Sequence, residues 1–63
     1  MLSDNVREIA EWHRMEAMRV QAESVNRPGQ LTADRLAAAA EADLHGRFGI
    51  TLDQAASLLA KDE

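Results

Sequence analysis

The chain has 63 residues, no cysteine and a formal net charge of −4, with seven Lys and Arg residues against eleven Asp and Glu. The lack of cysteine excludes disulfides and thiolate metal sites. The acidic balance disfavours general binding to nucleic acid or anionic lipid. Residues 1–63 are predicted to form one small domain. Because twelve of the apolar residues are alanine, the core is expected to be thin, and a partner or self-association is the expected source of further stability.

We expect no secretory signal at the N-terminus, since Met1–Asn5 has no basic segment followed by an apolar one. The longest apolar run, Leu36–Ala40, is far shorter than a membrane span. We therefore expect a cytoplasmic protein that has no membrane partner.

A long amphipathic helix is predicted over about residues 4–25, with Ser3 or Asp4 as its N-cap. One stripe of residues at helical spacing is apolar and is expected to face the rest of the chain. Its members are Val6, Ile9, Ala10, His13, Ala17 and Val20. Other large side chains lie off this stripe. The short remainder of the chain cannot cover both sets, so a second face is expected to contact something else.

Trp12, Met15 and Met18 are the large side chains that lie off the stripe. Two interpretations of Trp12 stay open. As a core residue, it would anchor the first helix on the rest of the fold. As an interface anchor together with Met15 and Met18, it would bind a partner protein, because aromatic and methionine side chains contribute strongly to such surfaces.

Pro28 and Gly29 are predicted to end the first helix, because proline disfavours a helical residue before it and glycine permits a positive φ. Thr32 is predicted to cap a second helix that ends near His45, with Gly46 as the residue after its C-terminus. The residues of this helix predicted to face inward are Ala33, Leu36, Ala37, Ala40 and Leu44.

A third helix is predicted over about residues 52–61. Thr51 and Gln54 have the spacing of a capping box at its start. Its predicted buried residues are Leu52, Ala55, Ala56 and Leu59. The predicted fold class is therefore all-α, with a long amphipathic helix followed by a short two-helix hairpin, three helices in all.

Nothing in the sequence predicts catalysis, and we do not expect an enzyme. The chain lacks tyrosine and a glycine-rich phosphate loop, and Glu8, Glu11 and Glu16 have the spacing of a solvated helix face. His13 and His45 are expected to be isolated from each other. Since a metal site needs three or four converging ligands, neither a metal nor a cofactor is expected.

Residues 24–29 read Ser-Val-Asn-Arg-Pro-Gly, directly after Ala22 and Glu23. This segment resembles the inhibition motif of the VbhA-like antitoxins, small helical inhibitors of Fic-domain toxins. The motif is Ser or Thr, three variable residues, Glu, and then Gly or Asn. Ser24 matches its hydroxyl position and Gly29 its last position. Gly46 and residues 50–55 are similar to the glycine turn and final helix of that family.

The resemblance implies a function. Fic enzymes transfer AMP from ATP to a hydroxyl group of a target protein, and the motif Glu of these antitoxins pairs with an Arg that should hold the ATP γ-phosphate. By resemblance, this chain is the antitoxin of a toxin–antitoxin pair and forms a heterodimer with a Fic-domain toxin. The residues that would make up its inhibition segment are Glu23, Ser24, Arg27, Pro28 and Gly29.

The segment departs from the motif at the central position, where Pro28 replaces Glu and Arg27 precedes it. Proline cannot pair with an arginine, and Arg27 would repel one. Three interpretations follow: inhibition by obstruction alone, a divergent toxin, or a carboxylate supplied by Glu23 from one helical turn earlier. A simpler alternative is that the segment only ends a helix. The chain would then be a non-catalytic adaptor or a self-associating regulatory subunit.

Overall fold

The computed structural model describes residues 1–25, 29 and 32–63. Within these residues the chain is all-α, with α1 spanning Leu2–Val25 and α2 spanning Thr32–Lys61. The two helices pack against each other as an antiparallel hairpin, a rod of 50 × 14 × 9 Å along its principal axes. Neither of these helices combines the length and hydropathy that crossing a membrane requires.

Gly29 lies in the turn between the helices with a φ of 78°, which confirms the positive-φ glycine predicted there. A side chain at this position would be strained, because L-residues rarely adopt such a φ. The predictions for Arg27 and Pro28 fall on residues outside the described part of the chain.

Ser3 and Glu63 join the far ends of the two helices. α1 already begins at Leu2, so the prediction of Ser3 or Asp4 as its N-cap is wrong. Ser3 is 3% exposed. Its hydroxyl and its backbone N–H both donate hydrogen bonds to the Glu63 carboxylate, the latter at 2.8 Å. The two hydrogen bonds, that of the hydroxyl first, hold the pKa of Glu63 below its ordinary value.

The predicted break at Gly46 and the predicted third helix are wrong, since α2 runs without interruption from Thr32 to Lys61. Of the glycines, only Gly29 has a positive φ among the described residues, so Gly46 and Gly49 continue the helix. Glycine inside a helix costs about 1 kcal/mol of stability relative to alanine. α2 contains two such glycines, Gly46 and Gly49.

Packing against α1 compensates for the second of these glycines. A Cβ at Gly49 would lie 3.0 Å from Cγ of Arg14 and 3.3 Å from the carbonyl oxygen of Ala10. The absence of a side chain therefore allows α1 to approach α2 closely at this level. At Gly46 a Cβ would meet nothing within 4 Å, so no contact there requires glycine.

The less exposed residues of both helices follow spacings of three and four in alternation, the seven-residue repeat of a coiled coil. We call these two rows the seam. In α1 the row is Ser3, Val6, Ala10, His13, Ala17, Val20 and Ser24. In α2 it is Ala38, Ala42, His45, Gly49, Leu52, Ala56 and Leu59.

The predicted inward faces are confirmed for part of the chain. All predicted members of the α1 stripe except the half-exposed Ile9 lie in the seam. Of the four residues predicted to be buried at 52–59, Leu52, Ala56 and Leu59 lie in the seam, and Ala55 lies beside it. The face predicted for the second helix is wrong, because every one of its members is exposed: Ala33, Leu36, Ala37, Ala40 and Leu44. The continuous helix carries the repeat through His45 and Gly49 and so turns a different face toward α1.

The seam is built mainly from small side chains, and Leu52 and Leu59 are its largest apolar members. Its buried apolar residues are Ala10, Val20, Ala42 and Ala56, and no large side chain is fully buried in the described part of the chain. Large apolar side chains with at least 46% of their surface exposed are Met1, Leu2, Ile9, Trp12, Met15, Met18, Leu36, Leu44, Phe48, Ile50 and Leu58. The hairpin alone therefore leaves most of its large apolar side chains in water.

Candidate protein-binding surface

His13 and His45 meet across the seam, with their Nδ1 atoms 2.8 Å apart. One ring donates this hydrogen bond and the other accepts it, so at least one imidazole of the pair is neutral. The expectation that the two histidines are isolated is wrong. The seven-residue repeat would have paired them, but only once α2 is taken as one continuous helix.

Two aromatic rings cover this histidine pair on one side of the seam. The Trp12 ring lies edge-on to both imidazoles, with its centroid 4.9 Å from that of His13 and 5.8 Å from that of His45. The Phe48 ring lies 5.4 Å from that of His13. Trp12 is 54% exposed and Phe48 46% exposed. A buried core position for Trp12 is therefore wrong, and its role in an interface stays a prediction.

Carboxylates approach the histidine pair from both helices. On α2, Glu41 Oε1 lies 3.8 Å from Nε2 of His45. On α1, the pKa of Glu16 is lowered, first by a hydrogen bond from Arg19 and to a smaller extent by the nearby imidazoles. No group of three or more His, Cys, Asp and Glu side chains within residues 1–25, 29 and 32–63 is placed to hold a metal ion.

The opposite side of the seam is polar around Arg14. Arg14 forms ion pairs there with Asp53 of α2 and, at 2.5 Å, with Glu11 of its own helix. The hydrogen bond to Glu11 is the first cause of a raised Arg14 pKa, and Asp53 adds to it. Because the stem of Arg14 lies over Gly49, this side is closed by a charged side chain rather than an apolar one.

We call the side that carries Trp12 and Phe48 the aromatic side. By helical position, its large residues are Leu2, Ile9, Trp12, Phe48 and Leu58, with the smaller Asn5, Thr51 and Ala55 between them. Each of the five large side chains is at least 46% exposed. None of the eight residues is charged. The aromatic side is therefore an uncharged and mainly apolar surface over the half of the hairpin far from the turn.

Toward the turn the same side of the hairpin becomes acidic. We call this part the acidic end. Its residues are Glu16, Arg19, Glu23, Asp34, Ala37, Glu41 and Leu44. Four carboxylates against one guanidinium give it a formal charge of −3. The boundary between the aromatic side and the acidic end lies at the histidine pair.

The three predicted interface anchors form a row along the outer half of α1, from Trp12, whose ring contacts His45, through Met15 to Met18, which lines a groove between the helices. Trp12 is shared with the aromatic side, whereas Met15 and Met18 are not part of it. Met15 is 61% exposed and Met18 69% exposed. This outer row therefore offers a second apolar contact surface, which overlaps the aromatic side only at Trp12.

The predicted inhibition segment starts in the last turn of α1. Ser24 is partly buried and lines an open groove between the helices. The other lining residues are Met18, Gln21, Ala22, Arg35, Ala38 and Ala39. Glu23 is exposed and lies 3.0 Å from Nη1 of Arg19. Gly29 is exposed in the turn, and Arg27 and Pro28 lie outside the described residues.

Comparisons of this chain with protein families, curated proteins and solved structures found no match. The functional interpretation therefore depends on the geometry of the hairpin and on the resemblance at residues 24–29.

Proposed function

We propose that this chain is a non-catalytic protein-binding module, a cytoplasmic antitoxin that binds and inhibits a Fic-domain adenylyltransferase toxin. The observation that carries the binding role is the distribution of its side chains. The seam between the helices holds mainly alanine, serine and glycine around a histidine pair, with two valines and two leucines, whereas most of the large apolar side chains are exposed.

This distribution favours a bound state for an energetic reason. Burial of apolar surface contributes about 25 cal/mol per Å². A chain of this size gains little over its conformational entropy even with an efficient core. A partner that covers exposed tryptophan and methionine side chains, which are enriched in protein interfaces, adds the missing burial and stabilises the hairpin by mass action.

The resemblance at Ser24 and Gly29 supports a Fic-domain toxin as the partner. A toxin that docks on the outer row of α1 would have the last turn of that helix and the following segment beside its nucleotide site. The chain would then obstruct ATP, with or without a carboxylate.

The ion pairs of Arg19 support Glu23 as a replacement for the missing motif Glu. Arg19 also lies 2.6 Å from Glu16, so it keeps a partner when Glu23 turns away. An exposed ion pair contributes only about 0–1 kcal/mol. Glu23 can therefore exchange Arg19 for an arginine of the toxin at small cost.

The first test measures binding to the protein that the neighbouring reading frame encodes, which this proposal expects to be a Fic-domain toxin. Trp12→Ala is expected to weaken binding by about 2 kcal/mol, measured by titration calorimetry, if the ring is an interface anchor. Glu8→Ala, which changes an exposed residue of the same helix, serves as the matched control and is expected to bind normally. Equal toxin affinities of the two variants would show that Trp12 is not part of the interface.

The second test separates inhibition from binding, with autoadenylylation of the toxin as the readout. Pro28→Glu is expected to bind at least as tightly and to inhibit AMP transfer more deeply, because the new carboxylate can form a charge-assisted hydrogen bond with the toxin's arginine, which contributes roughly 1.5–3 kcal/mol. Glu23→Ala weakens inhibition only if Glu23 supplies the carboxylate. A purified partner that transfers no AMP with or without this chain would rule out the Fic assignment and leave the binding module.

A further inference from the structure

We infer that the aromatic side is a homodimer interface, through which two copies of this chain pair in opposite directions when no other protein covers it. The resulting assembly has four helices, with the rings of Trp12 and Phe48 enclosed between the two hairpins. This inference goes beyond the proposed function, since it concerns the free chain and a surface that shares only Trp12 with the outer row.

The exposed area on the aromatic side fits an interface of this kind. The exposed parts of its five large side chains amount to roughly 500 Å² per copy, as aromatic residues alone bury 150–250 Å² each. That is about a tenth of the 4723 Å² surface of the chain. A standard interface buries about 800 Å² per partner, and the smaller residues between the large ones supply much of the remainder.

The aromatic side also alternates large and small side chains, as packing against a second copy of itself would require. Each helix presents large side chains separated by smaller ones, with Thr51 and Ala55 between Phe48 and Leu58 on α2. In a two-fold dimer the same patch contacts itself, so the large residues of one copy can lie over the small residues of the other. The packing inside the hairpin follows the same rule, where Gly49 accommodates the stem of Arg14.

Charge determines the direction of pairing. If the two copies lay parallel, their acidic ends, each with a formal charge of −3, would face each other, and like charges in contact oppose association. If they lie antiparallel, the uncharged aromatic sides overlap and the two acidic ends extend past opposite ends of the partner. We therefore infer the antiparallel dimer.

The first experiment measures the mass of the purified full chain by sedimentation equilibrium across a dilution series, without any toxin. The expected result is twice the 6.9 kDa of one chain, with dissociation on dilution. A chain that stays helical at the mass of one copy at every concentration overturns the proposal and indicates that another protein covers the aromatic side. Because no toxin is present, this outcome leaves the proposed function untouched.

Charged substitutions locate the interface. Ile9→Lys and Leu58→Lys change exposed residues of the aromatic side, one on each helix, and each is expected to raise the dimer Kd at least about 30-fold. Met15→Lys, which changes an equally exposed residue of α1 outside the aromatic side, is the matched control and is expected to leave the Kd unchanged. If Ile9→Lys and Leu58→Lys keep the wild-type mass profile, or if Met15→Lys alone loses it, the assigned surface is wrong.

A distance measurement tests the direction of pairing. The chain has no cysteine, so Ala37→Cys gives a single site for a spin label near the turn. In an antiparallel dimer the two labels lie more than about 35 Å apart, whereas in a parallel one they lie within about 20 Å, given the helical rise of 1.5 Å per residue. A short distance contradicts the antiparallel assignment.

Discussion

The seam and the aromatic side of this hairpin differ both in burial and in the size of their side chains. The seam is buried but small, and its apolar members at 0–6% exposure are three alanines and one valine. The aromatic side is exposed but large, with Trp12 and Phe48 at its centre. In most domains the large apolar residues are the buried ones. Here the contacts within the chain set only the spacing of the helices, and a second protein surface is needed to bury the large residues.

Small seam residues have a structural advantage that explains this distribution. A Cβ at Gly49 would lie in tight contact with α1, 3.0 Å from Cγ of Arg14, and the alanines of the seam permit a similarly close approach. Most of the large side chains then have no room between the helices and lie along the sides, with Leu52 and Leu59 as the exceptions. The hairpin is therefore thin, at 14 × 9 Å between Cα atoms across its short axes.

The largest effect is expected from a charge in the seam. Ala56→Asp places a carboxylate at a fully buried position and is expected to destabilise the hairpin by about 3 kcal/mol or more, because the charge would have no partner there. Circular dichroism should show loss of helix. Ala40→Asp, at an exposed position of the same helix, is the control. Similar helicity of both variants would mean that the seam is not a core.

A smaller difference in stability is expected between alanine substitutions at the two glycines of α2. Gly46→Ala is expected to raise the free energy of unfolding by about 1 kcal/mol, since alanine favours a helix and nothing lies within 4 Å of the new methyl group. Gly49→Ala gains the same propensity but forces its methyl against Ala10 and Arg14. It is expected to be at least about 1 kcal/mol less stable than Gly46→Ala.

Urea unfolding at one fixed protein concentration checks this pair, because any association would make stability depend on concentration. Equal stabilisation by the two substitutions would show that α1 can move away from Gly49 at no cost.

The smallest effect is expected at the end of the hairpin far from the turn. Because hydrogen bonds from Ser3 lower the pKa of Glu63 in the folded state, this carboxylate stabilises the hairpin above its ordinary pKa. The contribution disappears as the pH falls through the lowered value. Glu63→Gln should therefore reduce the acid dependence of thermal unfolding, whereas Asp62→Asn serves as the neighbouring control. An unchanged pH profile for Glu63→Gln would argue against the contact with Ser3.

Sequence patterns predicted the helical class, most of the face of α1, the face of residues 52–59 and the glycine turn. They failed at residues 46–51, where Gly46 and the Thr51–Gln54 pair give strong local signals for a break. The contact of Gly49 with α1 outweighs those signals, and such a contact between residues far apart in the chain is invisible to local rules. The error at the break then displaced the predicted inward face of residues 33–44.

The candidate surface was predicted only in part. The sequence indicated that Trp12, Met15 and Met18 lie off the main stripe, and they are exposed. It did not indicate that His13 would meet His45, or that Phe48 would join Trp12 beside them. Both contacts depend on the register between the two helices, which follows from α2 being continuous. For Arg27 and Pro28 the resemblance still provides the whole prediction.

The positions of the turn and of the Ser3–Glu63 contact suggest an order of folding. Ser24 and Arg35 line one groove and are close in the chain, whereas Ser3 and Glu63 are separated by 60 residues. The entropic cost of closing a loop rises with its length. We therefore expect contacts between the two helices to form first near the turn and then progressively toward the far end. The aromatic side lies over that last half. It would then assemble last and fray first, so a protein that binds there would act on the final step of folding itself.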